Sequence, residues 1–373
     1  MPRFASMLQR AYTARGHTVS LWTPRARLYK WLAGTRFAKW GGYVDQYLIF
    51  PFHVRRAARA AGAGTLFVFC DQALGPWVPL VKNRPHVVHT HDLLALRSAL
   101  GDIPENPTKF TGRIYQRYIR RGFRQARNFI SISAKTRADL HRYGHVNPAI
   151  SEVILNGLNF PYTAMPRPAA HQVLRDAQME VPETGILLNV GGSQWYKNQR
   201  GVIAIYADYV QQEEHPLPLW CIGPPPNAAV KEQLARVAER GQVRFYQNLD
   251  NLALQAVYSC ARVLLFPSLE EGFGWPLIEA QACGCPVITT DQAPMNEIAG
   301  EAALYLPRLK YAEDLRAWSG HGAKVLRDLL AESLLQQQDR SERGRAWANN
   351  FDPNVSIQKY LSVYDKILAT FQF

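Results

Sequence analysis

The chain has 373 residues, 47% of them apolar and 20% charged, a balance that suits two globular domains and excludes a disordered chain. Its apolar runs, such as Val263 to Phe266, are far too short to cross a bilayer, and the opening MPRFASMLQRAY has no apolar run of signal-peptide length, so a cytoplasmic location is expected. The net charge of +13 is uneven: residues 1–165 hold 24 Lys/Arg against 7 Asp/Glu (+17), and residues 166–373 hold 19 against 23 (−4).

A basic front half implies an anionic partner, and nucleic acid, anionic lipid headgroups and a phosphorylated acceptor all remain open. The five cysteines are scattered. Cys283 and Cys285 have no second pair to complete a zinc site, so all five read as small buried thiols.

In chain order, Phe4, Met7, Leu8, Ala11 and Tyr12 have helical spacing, with Gly16 as a stop. Val19 to Trp22 reads as a short strand. Residues 25–60 interleave Arg25, Arg27, Lys30, Arg36 and Lys39 with Trp31, Phe37, Trp40 and Tyr43. That mixture fits a core helix with a solvated basic face, a membrane interface, or a surface that stacks on bases. Strands are expected at Thr65–Cys70 and Pro85–Thr90, the second leading into His91-Asp92. An arginine-rich helix follows over Pro107–Arg127, then strand Phe129–Ser133, helix Ala134–Tyr143 and strand Glu152–Leu155.

Residues 160–184 hold four prolines, and the linker is expected in their first part. A second alternating series then begins: strand Ile186–Val190, helix Asn198–Gln211, strand Leu217–Ile222, helix Ala228–Arg240, strand Val243–Phe245, helix Leu252–Cys260 and strand Val263–Phe266. Strand Pro286–Thr289 comes later, and helices fill most of 311–371. Alternation of this kind means parallel sheets covered by helices on both faces.

Neither half has a G-x-G-x-x-G fingerprint or a G-x-x-x-x-G-K-[ST] loop, which argues against dinucleotide oxidoreductases and nucleotide triphosphatases. The stretch Leu269 to Thr290, LEEGFGWPLIEAQACGCPVITT, carries the chemistry. Pro276 suits the first turn of a helix that Gly284 ends, and the glycines before it let backbone approach a ligand closely. Free amides at the start of that helix suit a phosphate, and Glu271 and Glu279 can reach hydroxyls. A nucleotide-sugar fits such a cradle.

Glu271-x7-Glu279 within PSLEEGFGWPLIEAQACGCPVIT resembles the signature of the family 4 retaining glycosyltransferases, the glycosyl transferases group 1. ILNG at 154–157, NVGGSQWYKN at 189–198, YSCARVLLFPS at 258–268 and NEIAG at 296–300 agree, as do THDLLALRS and ISISAKTRADL in the front half. The resemblance implies a GT-B fold: two Rossmann-like domains facing a cleft, here 1–165 on the acceptor side and 166–350 on the donor side. The resemblance further implies that residues 351–373 are a C-terminal helix that crosses back to the first domain.

The resemblance also implies roles. Glu271 would touch the donor sugar hydroxyls, the amides of Gly272, Phe273 and Gly274 would hold sugar and diphosphate, and Glu279 would bind the ribose. Lys197 would offset charge on the leaving diphosphate. His91, with Asp92 beside it, matches the cleft histidine near the sugar. Gly192, grouped with the substrate-binding residues, stands where the family has an arginine five residues before the lysine. The family's first strand and glycine-rich loop have no counterpart here, and the expectation is that they lie upstream of Met1.

No metal is implied, since Lys197 and the helix end do that work, and no cofactor, since the nucleotide-diphosphate sugar is a substrate. The implied activity is retaining transfer of a sugar to a lipid-linked or polysaccharide acceptor in cell-surface glycan synthesis, including lipopolysaccharide. It would take place peripherally at the inner membrane face, with an anionic membrane surface and not nucleic acid as the partner. The alternatives are a catalytically impaired nucleotide-sugar- or glycan-binding protein of the same fold, and a glycosidase using the two glutamates as a pair.

Overall fold

The computed structural model describes residues 2–310 and 314–371. Two compact units divide the chain. One holds the residues up to Ile103, Pro107–Leu155 and Asn354 onward; the other holds Pro104–Asn106 and Asn156–Pro353.

In the first unit, four parallel strands lie side by side in chain order: β1 (Phe67–Phe69), β2 (His86–Thr90), β3 (Asn128–Ser131) and β4 (Ile150–Val153). Period-two alternation sends their side chains to opposite faces. Phe67, Phe69, Val88 and Phe129 form one core with Phe50, Val54, Ile119 and Phe123, which come from helices Phe50–Ala60 and Phe110–Phe123. Val87 and Ile130 form the other with Phe4, Leu8 and Tyr12 of helix Pro2–Thr13 and Ile357, Tyr360 and Tyr364 of helix Pro353–Thr370. Both faces are covered, as a parallel sheet requires.

One expected strand is absent. Val19 to Trp22 has no regular structure, Leu21 and Trp22 are exposed, and Trp22 meets Phe67 only ring edge to face at 5.6 Å. The residue types favour a strand, but the segment forms no ladder with β1, which pairs with β2 alone among the described strands.

The second unit has six parallel strands: β5 (Ile186–Val190), β6 (Leu219–Ile222), β7 (Val243–Tyr246), β8 (Ala261–Phe266), β9 (Val287–Thr290) and β10 (Leu304–Leu306). Their order across the sheet is β10-β9-β8-β5-β6-β7. The chain starts in the middle, builds outward one way, then returns to β5 and builds the other way. Such a reversal between β5 and β8 opens a crevice at their carboxyl ends, where open α/β sheets bind ligands.

Other departures are smaller. The helix expected over Ala228–Arg240 is regular only over Ala228–Leu234. The proline-rich stretch from 160 to 184 contains helix Arg167–Asp176, with Pro168 tolerated in its first turn and Ala170, His171 and Leu174 buried. Residues 311–313, where the C-terminal helices were expected to begin, lie outside the described residues; regular helix runs over Leu315–Leu330, Leu334–Ala348 and Pro353–Thr370. Among the described residues, no helix is long and apolar enough to cross a membrane.

Candidate active site

Two loops meet at the crevice between β5 and β8. The one after β8 runs from Pro267 through Glu271, Gly272 and Phe273 to Gly274, the N-cap of helix Trp275–Ala282. Gly274 has φ +99°, a left-handed conformation that a side chain would strain, so glycine is required where the chain turns into the helix. Pro276 lies in the first turn, where its missing N–H costs no helical bond. The side chain of Phe273 is buried against Trp275 and Phe351, at ring distances of 5.7 and 6.1 Å, so only backbone is left for a ligand.

The loop after β5 passes Gly191 and Gly192, makes a single turn at Trp195–Lys197, and enters helix Gln199–Gln212 through Asn198. Asn198 adopts the left-handed conformation, φ +48°, and its Oδ1 accepts from the Gly201 amide at 3.2 Å. Its Nδ2 donates across to the Pro267 carbonyl at 3.0 Å. The Leu269 amide donates to the Tyr196 carbonyl at 2.7 Å, and Arg308 Nε donates to the Leu269 carbonyl at 3.0 Å. The two loops are therefore stitched together by backbone and side-chain bonds.

Those stitches set the central contact. Lys197 Nζ donates to Glu271 Oε1 at 2.7 Å, and Ser268 Oγ donates to the same oxygen at 2.9 Å. The Lys197 and Glu271 side chains are 18% and 8% exposed. The ammonium also lies over the Phe266 ring, 5.0 Å from its centroid. A charged pair in such poor solvent contact interacts more strongly than one on the open surface.

Glu279, on helix Trp275–Ala282, is buried, and its Oε2 accepts from the Tyr258 hydroxyl at 3.0 Å. Burial and the Glu279 charge both push the Tyr258 phenol well above its ordinary range, so it remains a donor. At Gly192, a Cβ would come within 2.0 Å of Gln194 Oε1; a flexible glutamine tip occupies the space an arginine side chain would enter. Arg200, in the first turn of the following helix, is exposed.

His91 and Asp92 belong to the first unit, just past β2. The His91 ring is half-buried, donates from Nε2 to the Cys70 carbonyl at 3.0 Å, and meets Phe4 edge to face at 4.8 Å. Burial pushes its pKa down to about 4, so the ring is neutral at neutral pH. Asp92 Oδ1 accepts from the Leu94 amide at 3.1 Å just before helix Leu94–Leu100, while its carbonyl accepts from Gln72. The neighbouring His89 is fully buried, bonded through Nε2 to the Tyr364 hydroxyl at 2.7 Å.

Of the residues singled out from sequence, the structure joins Lys197 to Glu271 directly and sets Gly272, Phe273 and Gly274 on the same turn. Ser268, Asn198 and Tyr258 lie within the motifs that the sequence shows but carry no assigned role there. Asn198 carried a usable signal, a side-chain oxygen directly before a helical pattern. The roles of Ser268 and Tyr258 depend on contacts that spacing does not reveal.

Residues 172–308 match the family model for glycosyl transferases group 1, and residues 1–160 match that for glycosyltransferase family 4. The chain belongs to the group 1, family 4 glycosyltransferases. This glycosyltransferase is similar to O-antigen chain mannosyltransferase B of Escherichia coli, 24% identical over 78% of this chain and 76% of that one. It is also similar to a D-inositol 3-phosphate glycosyltransferase of Jonesia denitrificans, 28% identical over 78% and 68%. A glycosyltransferase structure from Rickettsia africae superposes with a TM-score of 0.67 over 98% of this chain and 94% of that one, at 14% identity. The fold of this glycosyltransferase is GT-B.

Proposed function

We propose that this glycosyltransferase moves a hexosyl group, with retained stereochemistry and without a metal ion, from a nucleotide-diphosphate sugar to a lipid-linked or polysaccharide acceptor in cell-surface glycan synthesis. The observation that carries the reading is the 2.7 Å Lys197–Glu271 pair beside the Glu271–Gly274 turn, at the carboxyl ends of β5 and β8. Glu271 accepts hydrogen bonds from donor-sugar hydroxyls. The amides of Gly272, Phe273 and Gly274 hold sugar and diphosphate. Glu279 binds the ribose, Gly192 lies beside the diphosphate with no side chain to pair with it, and His91 with Asp92 serves the sugar.

In the transfer, the acceptor hydroxyl oxygen bonds to the anomeric carbon as the bond from that carbon to the diphosphate oxygen breaks. The acceptor proton passes to the departing phosphate oxygen. Negative charge grows on the diphosphate, and Lys197 stabilises it where it develops. The acceptor class is supported by the O-antigen mannosyltransferase relative, and a phosphorylated small acceptor by the inositol 3-phosphate one. Work at the inner membrane face as a peripheral protein belongs to the same proposal, supported by the +17 balance of residues 1–165.

The test is a panel of nucleotide-sugars with the purified chain, reading released nucleotide and anomeric configuration with and without a chelator. Transfer with retention that survives chelation supports the proposal. Binding without turnover returns the protein to the alternative of a nucleotide-sugar-binding protein, and hydrolysis of simple glycosides without nucleotide sinks the transfer mechanism.

A further inference from the structure

Residues 1–70 contain eleven Lys/Arg and a single carboxylate, Asp45. That carboxylate is not on the surface. It is buried and accepts the Leu28 and Tyr29 amides at 3.1 and 2.9 Å, tying helix Leu28–Trp31 to the end of helix Ala38–Val44. Gly41 lets these helices touch: a Cβ there would stand 2.8 Å from the Leu28 carbonyl oxygen. The pair displays Trp31 and Trp40, 79% and 67% exposed.

A wide π turn, Asp45–Ile49, then shifts the helical register. After it Phe50, Val54 and Ala58 are buried, while Leu48, before them, and Phe52, among them, remain exposed, Phe52 at 71%. The Tyr47 and Tyr115 hydroxyls bond at 2.7 Å, joining this segment to helix Phe110–Phe123. That helix starts with Phe110, 74% exposed, carries Arg113, Arg117 and Arg121 on its surface, and has no carboxylate.

Isolated exposed apolar residues are ordinary; a linked set of exposed Trp, Phe and Tyr among cations is not. Arg with Trp and Tyr also marks protein interfaces, but eleven Lys/Arg against one buried carboxylate in residues 1–70 favour a uniformly anionic surface. Arg36, Lys39 and Arg55 lie over the rings of Phe37, Tyr43 and Phe52 at 4.8, 5.9 and 6.0 Å, covering faces on which a base would stack. A bilayer surface suits both components: rings sit at headgroup depth and cations meet lipid phosphates.

We propose that this face of the first unit docks the protein on a bilayer containing anionic phospholipid, with Trp31, Trp40, Phe52 and Phe110 entering the headgroup layer. The inference rests on the membrane part of the proposed function and not on its sugar chemistry.

The test is co-sedimentation of the full chain with phosphatidylcholine vesicles, with and without about 30% phosphatidylglycerol, at low and high salt. The parent should bind the anionic vesicles at least about tenfold more tightly, lose much of that at high salt, and show a blue-shifted tryptophan emission when bound. Replacing Arg36, Lys39 and Arg55 together with Gln should weaken binding by about fivefold for each cation. Trp31→Ser/Trp40→Ser/Phe52→Ser should weaken it by tenfold or more, on the order of the interfacial burial lost, with an unchanged circular dichroism spectrum.

Equal binding to both vesicle types overturns the inference, as does parent-like binding by the aromatic variant. So does tighter binding to a single-stranded oligonucleotide, or conversion of a dimer to a monomer by the aromatic variant with vesicle binding intact. Thermal stabilisation by a panel of nucleoside diphosphates is read on the same samples. If vesicle binding fails while a nucleotide still stabilises the chain, the docking inference falls and the donor-site reading stands.

Discussion

Lys197→Met separates the chemical role of the lysine from its structural one. The substitution removes the ammonium and keeps much of the stem. In the fold, Glu271 Oε1 then loses its 2.7 Å ionic partner but keeps Ser268 Oγ at 2.9 Å. Breaking a fully buried ion pair costs roughly 3–5 kcal/mol. Here Lys197 keeps some solvent contact and the carboxylate keeps a donor, so the loss in stability should be about 1–2 kcal/mol. A domain with a stability of roughly 5–15 kcal/mol survives that. Catalysis should suffer more: removing one donor aimed at developing charge costs about 10²–10³ in kcat. Denaturant midpoints and steady-state kinetics with the preferred nucleotide-sugar measure the two losses separately. Ser268→Ala is the control, since it takes a neutral partner from Glu271 without touching the charge, and should cost about tenfold at most. If Lys197→Met keeps kcat within about threefold of the parent while its stability drops, the lysine only pairs with Glu271, and leaving-group stabilisation must come from elsewhere.

Gly192→Arg should tighten nucleoside diphosphate binding by about tenfold in calorimetry, because a charge-assisted bond is gained and only the flexible Gln194 tip must move; unchanged or weaker affinity would show that the diphosphate lies elsewhere. Asn198→Ala should cost about 2–3 kcal/mol of stability, through a lost cap, an unpaired Pro267 carbonyl and a strained left-handed backbone, whereas Asn198→Gly should recover the backbone part. Equal denaturation midpoints for the two variants would exclude the backbone contribution. Stability should also fall on acidification below about pH 6.5. Burial lowers His89 and His91 to about 3 and 4, so the unfolded chain binds protons there that the folded chain does not, at up to about 1.4 kcal/mol per pH unit for each. Asp71 acts in the opposite sense: burial, with the Asp92 charge, raises it to about 6, so its contribution is present at low pH and lost as pH rises through 6. His89→Gln should flatten the acid-side decline between pH 6.5 and 4, and an unaltered slope would remove His89 from the account.

How much of this could be read from the sequence depends on whether the deciding contact is local. Strand β5, Ile186 to Val190, matches its expected bounds because a buried parallel strand is a short apolar run between turn residues, and that signal lies within the segment. The same reasoning fails at Val19–Trp22, whose residue types are equally suitable. A strand exists only where the segment pairs with a neighbour, and no local feature of those four residues reports that they do not. The Gly274 turn and Pro276 are local again: each fixes its own backbone, and both sit where the sequence put them.

The donor-site candidates lie between these cases. Glu271 and Lys197 stand 74 residues apart, and their pairing follows from one topological fact, that β5 and β8 are neighbours although β6 and β7 intervene in the chain. Residue pattern alone gives each loop its character, a glycine-proline turn in one and a lysine before a helix in the other. It does not say that Asn198 reaches Pro267, that Tyr196 receives the Leu269 amide, or that Ser268 shares an oxygen of Glu271 with the lysine. Those bonds hold two separate loops as one surface, so substitutions at Asn198 should disturb catalysis through the relative placement of Lys197 and Glu271, without either charge being altered.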